Sequence, residues 1–175
     1  MDFVLIPEER VGALIGEGGK TKRYIEKSTG TSINIENNAV TVEGEGLGAL
    51  KAQNIVQAIA RGFSPKNAMT LLADDTTIVV MSLSDLSEKS LLRIKGRIIG
   101  KEGKTRKIIE KDSGALVSVY GKTVALIGGY EAVDSAVHCV ELLLEGAPHS
   151  GVYRFLEKTA SERRRGEPPF INPPT

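Results

Sequence analysis

The chain carries one stretch twice: Leu14-Ile15-Gly16-Glu17-Gly18-Gly19-Lys20-Thr21 returns 84 positions later as Ile98-Ile99-Gly100-Lys101-Glu102-Gly103-Lys104-Thr105. The alignment runs without a gap from Gly12/Gly96 to Gly30/Gly114 and holds ten identities in nineteen positions, among them Ile25/Ile109, Glu26/Glu110 and Lys27/Lys111. In a chain of 175 residues such a repeat implies two small units of one architecture. Whatever folds around the first glycine cluster must also fold around the second.

Hydrophobic periodicity orders the elements within a unit. Phe3 to Ile6 is a short apolar strand, and Val11, Leu14 and Ile15 recur at helical spacing over residues 8–15. The glycines interrupt this helix, a second runs from Lys20 to Ser28, and Gly30 supplies its C-terminal cap. Ile33/Ile35 and Val40/Val42 alternate with polar residues on either side of Asn37-Asn38, which predicts a tight hairpin. Ala52, Ile55, Val56 and Ile59 then predict an amphipathic helix from Leu47 to Ala60. The second unit repeats this order. Its strands are expected at Ile78 to Leu83, Leu116 to Tyr120 and Val124 to Ile127, and its helices at Leu91 to Ile99, Lys104 to Lys111 and Glu131 to Leu144. The fold class is α+β, with β-α-α-β-β-α in each half and helices on one side of three strands.

Ser64-Pro65 reads as the N-cap and first residue of a short linker helix reaching Leu72. The expected boundaries are residues 1–62 for a first domain, 63–75 for a helical linker and 76–147 for a second domain. Residues 148–175 would form a C-terminal helix and a basic, proline-containing tail. That helix is expected from Ser150 to about Glu162, with Phe155 and Leu156 filling a groove between the domains. Arg163-Arg164-Arg165 and the prolines after them are expected to be disordered.

A net charge of +1 makes the chain no generic polyanion binder, so the distribution of charge matters more than the total. From Lys89 to Lys111 nine basic residues face two acidic ones, a local balance of +7; from Arg10 to Lys27 five face two, a balance of +3. Both glycine motifs sit in basic ground, and the second is much the more basic. Apolar content of 41%, a lone Cys139 in a helical stretch and the lack of a long apolar run predict a soluble, cytoplasmic protein with no membrane association.

Competing glycine motifs fail. A P-loop needs glycine where Leu14 and Ile98 stand, and a dinucleotide fingerprint from Gly16 needs glycine at Thr21. Four Phe and no Trp do not furnish the aromatic strands of an RNA-recognition motif. A helix, the pattern Ile-Gly-x-x-Gly, a basic helix, two strands and a helix instead resemble the KH domain in its eukaryotic-type (type I) topology, and both halves match. Gly16 lies too near the N-terminus for the helix and strand that the bacterial-type topology places first.

The resemblance implies that each GXXG loop clamps the backbone of about four nucleotides of single-stranded RNA. Glycines let a phosphate approach the main chain, while helix N-terminal amides and neighbouring Lys or Arg supply positive potential. The RNA-binding residues implied are Ile15, Gly16, Glu17, Gly18, Gly19, Lys20, Lys22 and Arg23 in the first unit. In the second they are Arg97, Ile99, Gly100, Lys101, Glu102, Gly103, Lys104, Arg106 and Lys107. Glu17 is unfavourable beside a phosphate, so the second unit is expected to dominate affinity.

The linker from Gly62 to Leu72, the run Arg97 to Thr105 and the closing Ser150-Gly151-Val152-Tyr153 narrow the resemblance. Over roughly residues 1–160 the chain is similar to archaeal relatives of the Dim/partner-of-Nob ribosome-assembly factors. That implies binding to precursor small-subunit rRNA near its 3′ end, within pre-ribosomal particles, and cooperation with the PIN-domain endonuclease Nob. Eukaryotic members have lost the first GXXG, whereas Gly16-Glu17-Gly18-Gly19 keeps it here. A general single-strand RNA binder in turnover or translation, and a protein-interaction scaffold, are the alternatives. Enzymatic chemistry is not expected: His138, His149, Cys139 and the Asp74-Asp75 turn assemble no nucleophile, base and orienting partner, no metal set and no cofactor site.

Overall fold

In the computed structural model, which describes residues 3–166, each half is built as its periodicity predicts. The first comprises β1 (Phe3–Leu5), α1 (Glu8–Ile15), α2 (Lys20–Thr29), β2 (Ser32–Glu36), β3 (Ala39–Glu43) and α3 (Gly46–Ala60). The second comprises β4 (Thr76–Ser82), α5 (Glu88–Ile99), α6 (Lys104–Ser113), β5 (Leu116–Tyr120), β6 (Thr123–Gly129) and α7 (Tyr130–Leu144). A short α4 (Pro65–Ala68), continued by a 3-10 turn over Met69–Leu72, joins them, and α8 (His149–Arg165) follows. The two sheets are antiparallel and share one order, β1-β3-β2 and β4-β6-β5. Asn37 and Asn38 both take positive φ, 50° and 62°, the conformation a two-residue hairpin with right-handed strand twist requires.

Each sheet presents alternate residues to its own helices. Leu14, Ile25, Val40, Ile55 and Ile59 are fully buried in the first core; Ile98, Ile109, Leu126, Leu143 and Leu156 are fully buried in the second. The other face of the second sheet does not meet water. Its Ala125 and Ile127, with half-buried Ile78, Val80 and Leu116, belong to the first domain's core. The Ser118 hydroxyl donates to the Arg61 carbonyl at 2.8 Å, and the Tyr120 hydroxyl donates to the Glu9 carboxylate. That last bond holds the Glu9 carboxyl below its ordinary value and raises the Tyr120 phenol above its own. The corresponding face of the first sheet leaves Phe3 and Leu5 exposed.

Several expectations are corrected. β4 starts two residues early and ends at Ser82, and β6 runs to Gly129, because pairing continues from Thr76↔Gly129 to Ser82↔Thr123. Helix α5 begins three residues early, where Ser87 Oγ accepts from the Ser90 amide at 3.2 Å as an N-cap. The final helix extends three residues further than expected, through Arg163, Arg164 and Arg165 to a left-handed Gly166. Arg163 is therefore no part of a loose tail: its guanidinium donates to the Ser113 carbonyl at 2.6 Å and to the Asp112 carbonyl, closing the C-terminus of α6. Phe155 and Leu156 pack within the second core, on α6 and α7, and not in a groove between domains. The expected tail prolines lie outside the described residues.

Candidate nucleic-acid interface

The two GXXG loops are one backbone conformation made from different residues. Gly16 and Gly100 both have φ 74°, with ψ 174° and 175°, a region that only glycine occupies without strain. Space excludes a side chain as well, since a Cβ on Gly100 would lie 2.3 Å from Thr105 Oγ1 and 2.7 Å from the Thr105 amide nitrogen. The amide of Gly16 donates to the Gly12 carbonyl at 2.9 Å and that of Gly100 to the Gly96 carbonyl at 2.8 Å, so each loop leaves its helix at a set angle. The next left-handed position holds Gly18 in the first loop (φ 59°) and Glu102 in the second (φ 56°). Gly19 and Gly103, both left-handed, then start α2 and α6.

Lys104, Lys107 and Lys111 recur at i, i+3 and i+7 on α6 and, with Lys101 and Glu102 from the loop and Ile108, line an open groove of about 570 Å³. The lysines are exposed. The equivalent stripe on α2 carries Lys20, Arg23 and Lys27, all exposed, around a Tyr24 that keeps 55% of its surface open. Lys111 and Ile108 were not among the expected site residues, although Lys111 lies two turns along the face begun by Lys104. The loop residues Glu17 and Gly18 are exposed, Ile15 is 37% exposed, and Ile99 is half-buried behind its loop.

Other expected residues are used differently. Arg97 is half-buried and donates to the Leu143 carbonyl at 2.7 Å and to the Ala147 carbonyl, capping the C-terminus of α7. Its guanidinium thus has a structural use, which its position in a basic run could not reveal. In the first domain Arg10 does the same for α3, donating to Ile59 and Phe63 carbonyls at 2.8 and 2.6 Å. Lys22 is half-buried and pairs with Glu26 at 3.2 Å. Glu26 Oε1 also accepts from the Ile33 amide at 2.8 Å, and Glu110 Oε1 accepts from the Val117 amide at 3.0 Å, which gives the Glu26/Glu110 identity a physical reason. The Ile33 amide, aided by Lys22, holds the Glu26 carboxyl below its ordinary value against the opposing effect of burial.

The second loop has a support that the first lacks. Thr105, 2% exposed, shares a 2.8 Å hydrogen bond with the Tyr153 hydroxyl of α8, while His149 Nε2 lies 2.9 Å from the Arg97 carbonyl. Helix α8 therefore runs parallel to α6, touching it near Thr105 and again at Ser113, and fixes the helix that carries the lysines. Burial pushes the Cys139 thiol up to about 12, leaving it an inert core group. Among the described residues no cluster of three or more His, Cys, Asp or Glu could hold a metal ion, and no helix is long and apolar enough to cross a membrane.

Known proteins match this arrangement along the chain. Residues 77–161 match the family described as eukaryotic type KH-domain (KH-domain type I), in its form for the second domain of Pno1, and residues 2–58 match the KH domain family. A KH domain-containing protein of Methanocaldococcus jannaschii is 43% identical over 173 residues, which cover 94% of this chain and 76% of that protein. The pre-rRNA-processing protein Pno1 of Aspergillus fumigatus is 34% identical over 142 residues, covering 75% of this chain and 56% of that protein, so the chain spans about half the length of such fungal relatives. The crystal structure of Dim2p from Pyrococcus horikoshii OT3 superposes with a TM-score of 0.84 at 44% identity, covering 90% of this chain and 98% of that one. The same organism's a/eIF2alpha-aDim2p-rRNA complex contains a chain that superposes with a TM-score of 0.86 at 43% identity, covering 92% and 94%. With a KH match in each half and a Dim2p structure alike over nine-tenths of its length at 44% identity, the chain belongs to the Dim2/Pno1 family of tandem type I KH-domain proteins.

Proposed function

We propose that the protein is an RNA-binding ribosome-assembly factor that holds single-stranded precursor rRNA near the 3′ end of the small-subunit rRNA. The carrying observation is the second GXXG loop continued by the exposed lysines of α6, a backbone clamp leading into a track of positive charge. The RNA in the Pyrococcus complex and the pre-rRNA-processing names of the fungal relatives support the substrate class. Of the residues that the KH resemblance implies, Gly100, Lys101, Glu102, Gly103, Lys104 and Lys107 form the proposed site, with Lys111 added. Gly16 to Lys20 and Arg23 form the weaker first-domain counterpart. Arg97 and Lys22 serve the fold. The protein acts in the cytoplasm by binding and positioning RNA for the PIN-domain endonuclease Nob within pre-ribosomal particles, and catalyses nothing itself. An a/eIF2alpha homologue is a further candidate partner.

Crosslinking the protein to RNA in cells by ultraviolet light and sequencing the bound fragments tests this reading. Reads should pile up at the small-subunit rRNA 3′ end; reads scattered over messengers would support a general RNA binder, and none a protein scaffold. In filter binding, Lys101 and Glu102 both changed to Asp should nearly abolish affinity, while the same change at Glu17 and Gly18 should cost less. Lys104→Ala should flatten the slope of log K against log salt by about 0.7, one contact's worth on a single strand. Equal losses from the two loop variants would overturn the ranking of the domains.

A further inference from the structure

The cations of α5 divide by use. Arg97 caps α7, and Lys95 donates to the Gly121 carbonyl at 2.9 Å, which ties α5 to the β5–β6 turn. Lys89 and Arg93 are exposed and, among the described residues, have no hydrogen-bond or ion-pair partner. Neither the fold nor the GXXG loop accounts for them.

Their placement on the helix leads to the loop. At 3.6 residues per turn, Lys89, Arg93 and Gly96 fall within about 60° of one another, turned away from the core side of α5. Ile94 and Ile98 are buried on that core side. A side chain at Gly96 would meet nothing within 4 Å, so the helix is bare there, and the Gly96 carbonyl accepts from the Gly100 amide at 2.8 Å. The stripe therefore runs from Lys89 straight into the second loop, a length of roughly 16 Å at 1.5 Å per residue. Leu92 flanks it with 76% of its surface open. The loop is thus the corner between two cationic stripes, one on α6 and one on α5.

The first domain lacks the second of these. Helix α5 has 12 residues against 8 in α1, and the extra turn carries Lys89. At the repeat spacing of 84, Leu92 and Arg93 correspond to Glu8 and Glu9. An RNA strand leaving the first loop along α1 would meet two carboxylates, whereas one leaving the second loop along α5 meets two free cations.

We infer that this stripe of α5 is a second phosphate track, on which Lys89 and Arg93 hold single-stranded RNA beyond the nucleotides in the second clamp. Gly96 lets the strand cross close to the helix, and Leu92 offers apolar surface to a sugar or a base face. Contacts of this kind add affinity and salt dependence without reading sequence. An acidic protein would also pair with two cations, but continuity with the loop favours the strand already held there.

The inference rests on the RNA-binding reading, and RNA length separates the two. Fluorescence anisotropy would follow the full chain on labelled random-sequence RNA of about four nucleotides, one clamp's worth, and on stepwise longer oligomers. Glu17 and Gly18 are both changed to Asp throughout, so that added length reports on the second domain. Affinity should rise with length, and the slope of log K against log salt should steepen by about 1.4, two contacts at about 0.7 each. With Lys89→Gln and Arg93→Gln added, the loss should grow with length and the extra slope should vanish, with no fall in the thermal midpoint. A loss equal at every length would overturn the inference by placing both residues in the clamp itself. No loss at any length would overturn it too, and would leave the stripe to an acidic protein. Failure of the unaltered chain to bind RNA of any length would remove both the inference and the reading beneath it.

Discussion

At the scale of single residues, the same letter carries opposite consequences according to the space around it. Gly96 lies in the exposed interior of α5 with nothing within 4 Å of a built Cβ, whereas Gly100, four residues on, has a Thr105 atom at 2.3 Å and φ 74°. Gly96→Ala should therefore raise stability by about 0.4–1 kcal/mol through reduced chain entropy. Gly100→Ala should lose at least about 1–3 kcal/mol from backbone strain alone, before the clash is counted. Chemical denaturation of the two variants checks the contrast, and a Gly100→Ala protein as stable as wild type would contradict the loop geometry. Glu102 shows the reverse compromise: it accepts a left-handed φ of 56° where the first loop uses Gly18, and so keeps a side chain at the rim of the groove.

At the scale of elements, α8 is the piece that makes the second domain unlike the first. It buries Val152 and Leu156 completely, sets Phe155 against His138 with ring centroids 4.6 Å apart, and meets α6 at Thr105 and Ser113. Leu156→Ala should cost about 2–5 kcal/mol, with the cavity left in a core that cannot close over it. Phe155→Ala should cost less, because that ring is only half-buried. The order of the two thermal midpoints is the measurement; a larger loss from Phe155→Ala would mean that the ring, not Leu156, anchors the helix. By bracing α6, α8 also ties the stability of the C-terminal segment to the placement of Lys104 and Lys107. In the first domain the short α4 and its 3-10 turn pack on α3, the turn also touching α2, and among the described residues the Thr105–Tyr153 bond has no counterpart at Thr21.

At the scale of the whole molecule, the two sheets face different fates. The outer face of the second is sealed by Ala125, Ile127, Ile78 and Val80 against the first domain, and the Ser118 to Arg61 and Tyr120 to Glu9 bonds fix the rotation about that contact. The domains are expected to move as one body. Cutting the chain near Ala73 should give halves that unfold at lower denaturant than the intact protein and a second half prone to associate through the uncovered face. NMR relaxation of the intact chain should report one tumbling time. Two independent times would show that the sealed face opens in solution.

The element order, the glycine loops, the Asn37-Asn38 hairpin and the basic character of both sites were legible in the sequence, because they depend on local rules: period, cap, turn and permitted φ. The internal repeat doubled each signal and so assigned the family's fold to both halves. What stayed hidden depended on neighbours distant in the chain. Nothing near Arg97 reveals that it caps α7, since Leu143 and Ala147 lie dozens of positions away. Arg163 looked like tail because polar residues at a terminus carry no periodic signal, yet the carbonyls of Asp112 and Ser113 order it. The second sheet's strands read as nearly continuous apolar runs, and only the tertiary structure shows that the first domain covers one of their faces. Sequence determined which groups could meet a nucleic acid; packing decided which of them are left free to do so.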